Sequence, residues 1–280
     1  MIASIRAALH SDRKRPAVWA IGSTWLGLAL AFGLGIPYLV YRVLANNPDE
    51  AEAAQELLAT VLPERLVPTG IGLFPLFGGA IAVILGAMVI GNEYRWGTLH
   101  LIFTQRPRRA QVIGGHAVAL ILLCLGLVIA TLIAMAVVTA ILATVEGRGI
   151  SWPTAGELAG VIGAGWLICA AHAGLGFFLA ILFRSTATAV ALGLIWTLVI
   201  ENAVSGLALM LAPFEVVQKV LLGPSAGALA GALGAPSQFD GGTPGVMESA
   251  SIGLPTAILF GYLLLTIGGA LWLTTRRDVT

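Results

Sequence analysis

Six apolar stretches, each long enough for a helix to cross a bilayer, leave this chain little freedom to fold as anything but a membrane bundle. They run near Ala17 to Tyr41, Ile71 to Ile90, Val112 to Thr144, Leu158 to Phe183, Ala187 to Leu211 and Leu254 to Thr274. A spanning helix needs about 20 such residues, because it rises about 1.5 Å per residue through about 30 Å of hydrocarbon. The third stretch is long enough to tilt or to project beyond the lipid. Composition agrees: 58% of the 280 residues are hydrophobic and 10% charged, where soluble domains carry about a quarter charged. Backbone polar groups in lipid must bond within their own segment, so the expected fold is an all-α polytopic membrane protein, a single transmembrane domain over residues 1–280.

The basic residues set its orientation. An even number of spans puts both termini on one side, together with Arg6, Arg13, Lys14, Arg15, Arg95, Arg106, Arg108, Arg109, Arg184, Arg276 and Arg277, eleven of the 15 Lys and Arg residues. Arg42, Arg65, Arg148 and Lys219 fall on the other. The positive-inside rule then makes the N and C termini cytoplasmic in the plasma (inner) membrane. The formal charge of +1 is therefore the sum of two unlike faces and says nothing about partners. Residues 2–15 place Ile2, Ile5 and Leu9 opposite Arg6, Arg13 and Lys14, the pattern of a short amphipathic helix in the headgroup layer. A frayed basic tail is the plainer alternative. The apolar run that follows is too long for a signal-peptide core, so it reads as a retained first span.

Two outside segments are long. In 42–70, Asn47-Pro48 opens a surface helix with acids in its first turn and Pro63 ends it. In 212–253, Val216, Val217, Val220 and Leu221 alternate at helical spacing with Glu215, Gln218 and Lys219, before an Ala/Gly stretch and the turn-rich APSQFDGGTPG. Too interrupted to span and very apolar, this segment reads as a re-entrant or interfacial hairpin before the sixth span, with an ordinary loop as the alternative. Cys124 and Cys169 fall within spans and read as buried thiols. No phosphate-binding loop, dinucleotide fingerprint, HExxH, CxxC or GxSxG motif occurs. The histidines His10, His100, His116 and His172 lack metal-ligand spacing, and no catalytic residue, metal or cofactor is assigned to the chain.

The segment 91–111, GNEYRWGTLHLIFTQRPRRAQ, concentrates charge between the second and third spans. Asn92-Glu93 can cap a helix over 92–106, with Tyr94, Trp96, Leu99, Ile102 and Phe103 on one side and Pro107 as its stop. On residue chemistry alone, a docking platform and a plain basic loop stand level. The order Glu93, Gly97-Thr98, Leu101, Pro107, Arg109 resembles the pattern found after the second span in permease subunits of type 2 ABC transporters. Arg184-Ser185-Thr186-Ala187 and Glu201 resemble the family's turn and carboxylate between and within spans four and five. His116 departs from it, standing where relatives often carry Lys.

The resemblance implies a cytoplasmic coupling helix between spans two and three, on which a separate ATP-binding subunit docks through Glu93, Tyr94, Trp96, Gly97, Thr98, Leu101, Pro107 and Arg109. Two copies of that subunit, holding ATP and Mg, and a second permease protomer, the same or a homologous chain, would complete an exporter of amphipathic or hydrophobic cargo such as drugs, lipids or peptides. Gly97 would allow close backbone approach; otherwise it is a helix glycine costing about 1 kcal/mol. Glu201, about 25 Å up the fifth span from Arg184, lies deep for a carboxylate. With Asn202 and Ser205 it either lines a substrate path or pairs across a dimer, or else snorkels outward or caps the following hairpin. His172, roughly 17 Å from the cytoplasmic end, reads as a satisfied interior histidine or as a proton-relay partner of Glu201. A secondary transporter driven through Glu201 and His172, or a sensor or enzyme without transport, are the competing functions. Membrane lipids are expected partners and nucleic acid is not.

Overall fold

The computed structural model of the chain describes residues 2–97, 109–238 and 241–276. Its regular elements there are all helices. The first, α1 (Ile2–Lys14), is followed by α2 (Pro16–Leu44), the first span. The break falls at Arg15, whose backbone is extended. Pro16 explains it: without an N–H it cannot continue a helix, yet its fixed φ suits a first turn.

Six helices are long and apolar enough to cross a membrane: α2, α5 (Phe74–Arg95), α6 (Arg109–Val145), α7 (Ala155–Phe183), α8 (Thr186–Ala208) and α11 (Gly253–Arg276). Between them lie the short α3 (Ala51–Thr60), α4 (Leu66–Gly72), α9 (Ala212–Val220) and α10 (Leu222–Ala232). The spans match the apolar stretches to within a few residues, with one informative exception. The second starts at Phe74, because α4 is a separate turn, and it runs on through Asn92 and Glu93 to Arg95. The expected helix start at Asn92-Glu93 is thus corrected: these residues form the last turn of span two, since the chain stays helical until a left-handed Gly97. α6, at 37 residues, would extend about 55 Å and so outreaches the hydrocarbon.

Spans two and four form the centre. In each, 67% of the most apolar window is buried, against 22% or 28% in the other four. Glycine makes that centre tight. A Cβ at Gly86 would stand 1.9 Å from the Ala173 carbonyl oxygen, and one at Gly176 would stand 2.1 Å from that of Val83, so the two backbones touch as small residues allow. Three spans carry π-type turns, at Ala31–Gly35 in α2, Phe74–Gly78 in α5 and Ile195–Ile200 in α8. In α5 the turn holds Pro75, whose missing donor an ordinary helical turn would leave as a gap.

At the end of the bundle away from α1, Tyr38 and Tyr41 each donate to Glu146 at 2.7 Å, fastening the first span to the end of α6. These bonds, Tyr41's first, and nearby Arg42 hold the Glu146 carboxyl below the usual range. α9 buries no residue, whereas α10 buries Leu222, Ala226, Leu229 and Ala230 against its neighbours. At Gly227 and Gly231 the backbone of residues 245–247 crosses so closely that a Cβ would stand 2.0 Å from the Gly245 and Met247 carbonyl oxygens, respectively.

Candidate functional site

Two polar sites stand out, one at each end of the bundle. The first is a buried joint where α1, span two and span three meet. α1 lies flush on the start of α6: a Cβ at Gly115 would stand 2.8 Å from Ser4 Cβ. From the α1–α2 turn, Arg15 reaches inward. It donates to the Val89 carbonyl at 3.2 Å, pairs with Asp12 at 3.5 Å and forms a short ion pair with Glu93. Asp12 is 0%, Glu93 4% and His116 6% exposed. Among the described residues, one Asp12 oxygen and the His116 Nδ1 have no hydrogen-bond partner. Burial, reinforced by Glu93 and opposed by Arg15, pushes the Asp12 carboxyl up to about 6.

The residues expected to face an ATPase therefore divide. Glu93 is inside, engaged by Arg15, and is no surface contact. Tyr94 packs partly buried against the core, while Trp96 is 74% exposed with the Arg95 guanidinium 5.8 Å from its ring. Gly97 has φ +67° and open space around it, so its need is conformational: it ends span two, its N–H donating to the Tyr94 carbonyl at 3.2 Å. Arg109 opens α6. Thr98, Leu101 and Pro107, and with them most of the expected coupling helix, lie outside the described residues. The turn between spans four and five is tight. Arg184 adopts a left-handed φ of 54°, and the Ser185 side chain caps α8 by accepting from the Thr188 N–H at 3.3 Å.

The second site brings together all four residues expected along a substrate path. His172, Glu201, Asn202 and Ser205 line one small cavity of about 20 Å³, room for a water molecule. Its wall includes Pro75 and Leu76 from the π turn of span two and Thr197 from that of span five; such turns concentrate at functional sites. Glu201 is 1% exposed and accepts from the Trp196 indole at 2.9 Å, the Leu222 N–H at 3.1 Å and the Gly223 N–H at 2.8 Å. The carboxylate thus sits on the N-terminal turn of α10, where free N–H groups and the helix dipole favour an anion. Of the alternatives for Glu201, capping the segment that follows span five is what the geometry displays. His172 Nδ1 lies 2.8 Å from the Ile168 carbonyl, and its Nε2 has no hydrogen-bond partner among the described residues. Among the described residues, no group of three His, Cys, Asp or Glu side chains is placed to hold a metal.

Asp12 and Arg15 were missed as site residues. A signal existed in Asp12, the one acid before Asp49 and the one acid inside a basic helix.

Fold and sites together define a polytopic α-helical membrane protein built around a glycine-tight pair of spans. The family model described as ABC-2 family transporter protein matches residues 17–278, and the chain belongs to that family. It is accordingly the membrane component of a transporter, not the catalytic subunit, and its family works with an ABC ATP-binding partner. No curated protein matches it. The match begins at Ala17, so α1 and Asp12 precede it.

Proposed function

We propose that this chain is the permease of an ATP-driven exporter, energised by a separate ATP-binding subunit that docks at the α1 end of the bundle. In this reading both termini are cytoplasmic, Trp96 and the connection between spans two and three, including Thr98, Leu101 and Pro107, form the docking surface, and ATP with Mg stays on the partner. Two ATPases and a second permease protomer complete the exporter. The cargo is amphipathic or hydrophobic, and α9 with α10 forms an interfacial hairpin over the exit.

The observation that carries this reading is the part-buried Arg15–Glu93 pair. It locks α1, the foot of span one and the last turn of span two into one body. A push on the segment after Gly97 then moves span two, and span four follows through the backbone contacts at Gly86 and Gly176. The motion reaches the π turns around the Glu201 cavity, where a path would open. Glu93 is buried, so losing its partner would leave a desolvated carboxylate unpaired, and the joint holds under load.

The test is co-purification with a candidate ATPase, followed by ATP turnover in proteoliposomes. Trp96→Ala is expected to weaken association while leaving thermal stability unchanged. Glu93→Gln is expected to keep association but uncouple turnover from transport. If no ATPase co-purifies and both variants transport normally, the reading is wrong. A Glu201→Gln permease that transports normally across pH removes the path role of that cavity.

A further inference from the structure

A larger cavity belongs to neither site. It is an apolar groove of about 630 Å³ between α1, the first span and the third. Gly22, Leu26, Leu122 and Gly126 line it, and the exposed Arg13 and Trp19 stand at its α1 end, its mouth. The two glycines are unlike those of the central pair. A Cβ at Gly126 would meet nothing within 4 Å, and one at Gly22 only Leu127 Cδ1 at 3.9 Å. They keep the spans from filling a gap instead of letting them touch.

The mouth marks a depth and a charge. The Trp19 indole, 65% exposed, donates to the Arg13 carbonyl at 2.8 Å, which holds an amphipathic ring at the α1 turn as interfacial tryptophans are held. Arg13 and Lys14 are exposed there, while Asp12 is turned into the protein. The mouth is therefore positive and the groove below it apolar, the arrangement of a phospholipid in reverse. We propose that this groove binds one anionic phospholipid of the leaflet that borders α1, with the phosphate at Arg13 and an acyl chain over Gly22 and Gly126.

A second copy of the chain fits the charge poorly. Among the described residues, the acids at this end, Asp12 and Glu93, are buried, and the exposed run Asp49, Glu50, Glu52, Glu56 and Glu64 follows span one at the opposite end. A helix about 10 Å across also needs a wider seat than one acyl chain does.

The experiment is native mass spectrometry of the full chain in mild detergent, supplied with equal phosphatidylglycerol and phosphatidylcholine. One phosphatidylglycerol is expected to be retained roughly fivefold over phosphatidylcholine, as one basic residue at an anionic surface gives. Arg13→Glu is expected to remove the preference. Gly126→Leu, which fills the groove and leaves every charge in place, is expected to remove the bound lipid without lowering the melting temperature. Equal retention of both lipids, or phosphatidylglycerol undiminished in folded Gly126→Leu, overturns the proposal. So does efficient disulfide cross-linking of Leu122→Cys copies through this face.

Discussion

Asp12 is the residue whose chemistry departs furthest from its surroundings outside the spans. Its folded pKa of about 6 lies above the ordinary 3.8, so the docked α1 holds the proton more tightly than the released helix does. Between these values the docked state binds more protons, and docking weakens as pH rises through that window. Arg15 and Glu93 act on the same carboxyl, and His116, from span three, feels the charge of both of them. Hydrogen exchange of residues 2–14, corrected for intrinsic rates, is expected to show roughly tenfold more protection at pH 5 than at pH 7.5, since about one pKa unit of the shift falls in that window and one unit is worth about 1.4 kcal/mol. Asp12→Asn, which leaves the three neighbours in place, should flatten that dependence. An unchanged slope in the variant would assign it to another group. Glu201 invites a different measurement. Glu201→Ala strands two backbone N–H groups and an indole N–H, a loss on the order of 2 to 3 kcal/mol, and Glu201→Gln, which keeps one acceptor, should lose about half. A stability unchanged by Glu201→Ala would contradict the capping role.

The spans were legible in the sequence because lipid demands long apolar runs, and their ends fell where charges and prolines stand. The end of span two was not, because Asn92 and Glu93 read equally well as a helix start or as the last turn of a helix whose carboxylate is buried. Only the partner decides, and Arg15 lies far away in the chain. The Glu201 cavity was half legible: a carboxylate, an amide and a hydroxyl one turn apart mark a polar face, but a sequence does not say that the N-terminus of α10 folds back onto it. Glycines were the least legible, because the same residue serves opposite ends. Gly86→Ala drives a Cβ into the Ala173 carbonyl and is expected to cost about 1 to 3 kcal/mol as overpacking. Gly126→Ala enters open space and should gain up to about 1 kcal/mol from helix propensity. Thermal unfolding of the two variants side by side checks the contrast, and equal losses would refute the packing described.

At the scale of the whole molecule, the architecture separates a place to push from a place to open. The joint at α1 meets the last turn of span two, and the cavity at Glu201 meets the first turn of that span at Pro75 and Leu76 and span four at His172; the two spans are joined by backbone contact at Gly86 and Gly176. Membership in the ABC-2 family says that the chain is a transporter's membrane component; the joint suggests how force enters it. ATP turnover and cargo movement, followed together in proteoliposomes holding the permease and its ATPase, with and without Glu93→Gln, test this most directly. The account predicts that the variant complex still hydrolyses ATP but moves cargo at least tenfold more slowly per ATP. Cargo movement per ATP equal to that of the wild type would contradict it.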